Sequence, residues 1–131
     1  MTRYLVMADA LQVTQRYGFS VRDAGLLASA LARPSASMFG ADAYPTPDRK
    51  AAALSESLVR NHPFVDGIKR TGWTLLVAFP WINGLAHNFS TDEGFDLVVG
   101  VAEGRIDLDE SERRMREHRV NRPEEPTKSR E

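Results

Sequence analysis

The ten residues from His62 to Thr71 bring together a histidine, an acid, a glycine, a lysine, an arginine and a threonine: His62, Asp66, Gly67, Lys69, Arg70 and Thr71. Stretches with strong apolar faces flank them, so the segment reads as a loop leading into a helix N-terminus. The first backbone N–H groups of a helix lack intrahelical partners, and the helix dipole there favours an anion. Gly67 allows close approach of the backbone to a ligand. Lys69 and Arg70 are charges that a helix start disfavours, and an external phosphate would compensate them. Asp66, four residues after His62, supplies a carboxylate for Mg²⁺, which takes one or two carboxylates together with phosphate oxygens. His62 is placed to accept a proton from an attacking hydroxyl, a role worth about 10²–10⁴-fold in rate. The set describes phosphoryl or nucleotidyl transfer, where catalysis is mostly positioning and charge stabilisation.

Plainer readings stand beside these. Asp66-Gly67 is a common turn pair, and Lys69 and Arg70 also fit a solvated first turn. Of the two, Arg70 is the better phosphate ligand because its planar fork matches phosphate oxygens. Phe64 reads as a core anchor, and Thr71 as a capping residue or a ligand contact. His87 and His118 lack acidic or glycine partners at useful spacing and read as structural or surface residues. Trp73 and Trp81 read as core or rim packing. Arg113, Arg114 and Arg116 alternate with acids and read as a solvated helix face.

The elements around the loop read as helices. Tyr4 to Tyr17 has helical apolar spacing and ends at Gly18, a candidate left-handed cap. Ser20 and Asp23 have capping-box spacing before Val21 to Ala32, which Pro34 ends. Pro47 suits a first helical turn before Lys50 to Arg60. Thr71 to Gly84 reads as a buried helix, but Pro80 predicts a kink or a stop near Phe79, since an interior proline costs about 3 kcal/mol. Ser90 and Glu93 open a helix reaching Val101, and a charged helix follows from Asp109 to His118. Ser35 to Tyr44 fits a short flap-like hairpin or a surface loop. The last ten residues, Arg122 to Glu131, carry no large apolar group, and the reading is a helical domain over 1–120 with a disordered tail over 121–131.

A chain of 131 residues fits one domain able to bury a core. Its net charge of −1 gives no support for direct DNA binding or an acidic membrane surface. The absence of cysteine excludes disulfides, thiolate zinc sites and cysteine nucleophiles. The longest apolar run, near Leu75 to Ile82, is far short of the ~20 residues of a membrane span. Without a signal-peptide pattern, the cytoplasm is the expected location.

The motif resembles the Fic/Doc family signature His-x-Phe-x-(Asp/Glu)-x-Asn-(Gly/Lys)-Arg, here carried by His62, Phe64, Asp66, Gly67, Ile68, Lys69 and Arg70. Lys69-Arg70-Thr71 looks like the Doc (death-on-curing) branch, the toxins of toxin–antitoxin modules. The Arg16-Tyr17-Gly18 turn, Asn61-His62, the Asn83-Gly84 cap and Gly100 to Ile106 extend the likeness over about residues 4 to 110. The resemblance implies an all-α, compact bundle of about six helices with the motif loop between two central ones. It implies a kinase-type transferase that uses ATP and Mg²⁺ to place a phosphate on a threonine of elongation factor Tu. A cognate antitoxin would neutralise it through a C-terminal segment seated in a groove. By position His62 would be the base, Asp66 the metal ligand, and Gly67, Lys69 and Arg70 the phosphate contacts.

Ile68 departs from the pattern. The family's Asn orients the nucleotide phosphates there, and isoleucine offers no donor or acceptor. Losing a hydrogen bond to a charged group costs about 1.5–3 kcal/mol, roughly 10- to 150-fold in rate. An attenuated toxin, a catalytically silent antitoxin-binding module and a Fic-type AMP transferase all remain open on the sequence. A metal-dependent hydrolase using His62 and Asp66 is disfavoured, because the loop supplies too few ligands.

Overall fold

The computed structural model describes residues 1–18, 20–61 and 68–123, with the side chains of residues 17 and 68–72 excepted. Six α-helices carry the fold. They are α1 (Met7–Tyr17), α2 (Ala24–Ala32), α3 (Pro47–Asn61), α4 (Ile68–Ile82), α5 (Thr91–Ala102) and α6 (Leu108–His118). A 3₁₀ turn, Arg33–Ser35, follows α2, and two short antiparallel hairpins complete the chain. The expected all-helical bundle is thus the observed architecture.

Helix α3 is the hub. It packs against α2, the 3₁₀ turn, α4, α5 and α6. Ala51, Ala52 and Ala53 are fully buried, as are Leu58 and Val59, as the packed faces of a central helix must be. The helix is buried on nearly every side rather than apolar throughout, since Asp48, Lys50, Ser55 and Ser57 are buried with it, and its small alanines let neighbours approach closely. Leu75, Leu76 and Phe79 of α4, Leu97 and Val101 of α5 and Met115 of α6 join the same core. Lys50 is buried too, with its Nζ donating to the Pro34 carbonyl at 3.3 Å and the Asp42 carboxylate at 3.1 Å. A buried ammonium needs such partners.

Several expected boundaries shift for local reasons. Helix α1 starts at Met7, not Tyr4, because Arg3 is held outside it. The Arg3 N–H donates to Asn83 Oδ1, and Asn83 Nδ2 donates back to the Arg3 carbonyl, each at 2.8 Å. Helix α2 starts at Ala24, not Val21. Asp23 rather than Ser20 is its cap, accepting from the Leu26 N–H at 3.0 Å. The Ser90–Glu93 capping box of α5 is present as expected. Strands β1 (Ser37–Met38) and β2 (Ala41–Asp42) pair as a hairpin, which decides the alternatives open for Ser35 to Tyr44. Its tip holds Phe39 at φ 53° and Gly40 at φ 80°.

Helix α4 does not stop near Phe79. It runs through Pro80 to Ile82. Proline there leaves the Leu76 carbonyl without its helical donor, and the end is secured another way. Asn83 Nδ2 donates to the Phe79 carbonyl at 2.9 Å, and Gly84 turns the chain at φ 83°. Strand β3 (Leu85–His87) then pairs with β4 (Arg119–Asn121), an element that periodicity did not suggest. Arg122, expected in a free tail, donates its N–H to the Gly84 carbonyl and its guanidinium to the Trp81 carbonyl. Trp81 lies at the rim, half exposed, under the Arg122 guanidinium. Residues 124–131 of the expected tail lie outside the described residues. Among the described residues, no helix is long and apolar enough to cross a membrane.

Candidate functional site

The motif sits where α3 ends and α4 begins. Helix α3 ends at Asn61 and α4 starts at Ile68, so six residues connect two helices that pack against each other. Connections this short join neighbouring helices. His62, Phe64, Asp66 and Gly67 lie in this connection and outside the described residues. Ile68, Lys69, Arg70 and Thr71 form the first turn of α4 by their backbone; their side chains lie outside the description. The expected helix follows the loop, but it begins at Ile68 rather than Thr71. Its first four amides lack intrahelical carbonyls, and no acidic residue stands in that turn. A phosphate fits such a start, because amides without partners inside the helix, the dipole and two cations in the sequence all favour an anion.

The described residues around this junction are tied together by arginines. Arg60, one residue before the end of α3, donates Nε to the Val101 carbonyl near the end of α5 at 2.9 Å. Its Nη1 lies 3.5 Å from Glu56 Oε2. Glu56 also takes Arg33 Nη1 at 3.0 Å, and Arg33 reaches the Tyr44 hydroxyl at 2.8 Å and Ser57 Oγ at 2.9 Å. From the connection before α2, Arg22 Nη2 donates to the Asn61 carbonyl at 3.4 Å. Glu56 and Arg60 have the helical i, i+4 spacing visible in sequence. The reach from Arg60 to Val101 spans 41 positions and has no local signal.

On the other face of α4 lies a groove of about 580 Å³ lined by Trp73, Phe89, Ser90, Thr91, Gly94, Phe95, Val98 and Val99. Gly94 is required there. A Cβ on it would stand 2.7 Å from the Trp73 ring. Trp73 meets Phe89 edge-on at 5.7 Å, and Phe89 stacks on His118 at 4.2 Å and on His87 at 5.8 Å. Both nitrogens of His118 face acceptors: Nδ1 the Arg114 carbonyl at 2.9 Å, Nε2 the Glu93 carboxylate at 2.8 Å. Two acceptors require the doubly protonated ring. In keeping, the Arg114 carbonyl and Glu93 raise the His118 pKa against its partial burial. Glu93 is itself held down to about 2, first by the Ser90 backbone and then by His118.

His87 is the opposite case. Among the described residues neither ring nitrogen finds a hydrogen-bond partner of ordinary geometry, although the nearby Met115 backbone exerts a slight upward pull. Burial dominates and lowers its pKa to about 4. The reading of both histidines as structural thus holds, with His118 a charged tie and His87 a neutral filler. Of the α6 arginines, Arg113 and Arg116 form the exposed face expected, and Arg114 departs from it. Arg114 reaches Asp96 on α5 as well as Glu110, whereas Arg113 stays with Glu110 and Glu117 on its own helix.

Among the described residues, no group of three or more His, Asp or Glu side chains gathers to hold a metal ion. The metal reading therefore rests on Asp66.

Against known proteins, the Fic/DOC family profile matches residues 3–80. That stretch covers more than half the chain and includes the whole motif, so the chain belongs to the Fic/DOC family. A curated relative, "Toxin Doc" of Mycolicibacterium smegmatis (strain ATCC 700084 / mc(2)155), is 48% identical over 114 residues, covering 83% of this chain and 88% of its own length.

Proposed function

We propose that this protein is a Doc-type toxin, a transferase that moves the γ-phosphate of ATP onto a hydroxyl side chain of a translation protein, elongation factor Tu by resemblance. The 48% identity to a protein named Toxin Doc, running over most of both chains, carries the reading. The helix start at Ile68, with two cations in its sequence and amides that lack intrahelical partners, supports a phosphate ligand. In this reading His62 takes the proton of the attacking hydroxyl as its oxygen bonds the γ-phosphorus and ADP leaves. The Asp66 carboxylate holds the Mg²⁺ that accompanies ATP and offsets phosphate charge. The amides after Gly67, with Lys69 and Arg70, cradle the phosphates. A cognate antitoxin is the partner that restrains the toxin, and the cytoplasm, where ATP and ribosomes are found, is its place of action.

Ile68 attenuates this activity, for the reason given by its missing amide. The test is mass spectrometry of purified elongation factor Tu after incubation with ATP, Mg²⁺ and the Ile68→Asn protein. A gain of one phosphate, absent with His62→Ala, supports the reading. A nucleotide adduct would assign AMP transfer of the Fic type instead. Ile68 also favours a second reading, a silent module that keeps only the antitoxin groove. Calorimetry separates the two: that module binds an antitoxin peptide but not ATP–Mg²⁺.

A further inference from the structure

We infer that Arg60 is a positioning residue for the motif, fixing the last turn of α3 from which His62 departs. The inference rests on the transferase reading of that motif. Two helix C-termini converge at Arg60: its own, at Asn61, and that of α5, whose Val101 carbonyl accepts its Nε at 2.9 Å. Both ends carry the negative pole of a dipole, and the Val101 carbonyl, which also accepts the Gly104 N–H at 3.1 Å, takes the guanidinium as a further donor. A cation placed between them answers both poles. Arg60 reaches α5 with one edge and holds Glu56, one turn back on α3, with another. Glu56 is mostly buried and is itself fixed by Arg33.

The turn is held from a second direction. Arg22 donates to the carbonyl of Asn61, the residue covalently joined to His62. At the turn that ends α5, Gly104 stands at φ 77°, and a Cβ there would lie 4.0 Å from Arg60 Nη2. Helix ends fray unless they are tied. Here the final turn of α3 is tied to α5 and to the connection before α2. A base must be held to within about 0.5 Å of its working position. Arg60 contributes this placement without touching substrate.

The experiment uses the full chain with Ile68→Asn, with and without Arg60→Met or Arg60→Lys. Initial rates of phosphate transfer are measured against ATP concentration, and amide hydrogen exchange is followed on the same samples. We expect Arg60→Met to lower kcat by about tenfold or more while the KM for ATP stays within about twofold, because a misplaced base slows chemistry more than binding. Arg60→Lys should recover part of the rate, since it keeps the charge but not the fork. Exchange should quicken at amides 61–70 and remain unchanged in α1 and α6. Parental kcat in Arg60→Met, or exchange that quickens throughout the protein, overturns the inference. If Arg60→Met does not fold, Arg60→Lys decides it by the same readings. If the Ile68→Asn parent transfers no phosphate, the transferase reading fails. Exchange then decides alone: a local change at 61–70 supports the positioning role and no change overturns it.

Discussion

Helices α4 and α5 meet at the Trp73 groove and begin in opposite ways. Helix α5 opens with Ser90 as cap and Asp92 and Glu93 in its first turn, and its capping box closes within the chain. The starts of α1, α2, α3 and α6 also carry acids: Asp9, Asp23, Asp48, and Asp109 with Glu110. Helix α4 has none in its first turn and places Lys69 and Arg70 there. Asp66 precedes it by two residues, and in the proposed function that carboxylate is engaged with Mg²⁺. The chain satisfies the dipole wherever a helix start only supports the fold. At α4 it leaves a positive start, which in the proposed function is completed by an anion from outside.

The largest test of this contrast is His62→Ala in the Ile68→Asn protein, expected to lower phosphate transfer by about 10²–10⁴-fold. A loss below tenfold would remove the motif from the chemistry. Next, Ile68→Asn itself should raise the transfer rate of the present chain by roughly 10- to 150-fold. The readout is growth arrest when the protein is induced in a bacterial host. At the other helix start, Ser90→Ala should cost about 1 kcal/mol, a fall in Tm of about 4 °C. Transfer rate should not change, and a matching fall in rate would blur the distinction between the two helix starts. Smaller still, Lys69→Glu places an acid in the first turn of α4 and should raise stability by about 0.3–1 kcal/mol. The same change should abolish the Tm gain produced by ATP–Mg²⁺. A drop in Tm without ATP would show that the cations serve the fold.

The smallest effect is one of pH. The pKa of His118 is raised in the fold, first by the Arg114 carbonyl and then by Glu93. Its stabilisation is therefore complete below its ordinary value of 6.5 and is lost as pH rises through the higher folded value. His87, lowered to about 4 by burial, works the other way. The unfolded chain takes up a proton between 6.5 and 4 that the folded chain refuses, so this residue costs stability as the pH falls. The gap in Tm between the parent and His118→Gln should be widest near pH 6 and close in alkali. A gap constant with pH would show that His118 acts by packing alone.

What could be read from the sequence follows from range. The motif residues lie within ten positions, so the loop leading into a helix was a local property, although the helix starts at Ile68, three residues before the expected Thr71. Capping at Ser90 and the turn at Gly18 are local for the same reason. Of the kink or stop expected near Phe79, the stop did not occur, because Asn83 and Gly84 close the helix end locally and the distant Arg3 holds Asn83 in place. Strand β4 was missed because a three-residue strand has no periodicity of its own and exists only by pairing with Leu85–His87. His118 looked idle for want of a nearby acid, and its acid, Glu93, comes from another helix. The same holds for Arg60, whose partner on α5 no spacing rule could name.

The reciprocal bonds between Arg3 and Asn83, and the pairing of β3 with β4, bring the start of the chain and its last strand to one end of α4. The motif opens at the other end, about 22 Å away along a fifteen-residue helix. Anything fused before Arg3 or after Arg122, whether a fluorescent reporter, an affinity handle or a further domain, would emerge on the side of the molecule remote from the chemistry. Fusion at either terminus should therefore leave the catalytic end open to a large protein substrate.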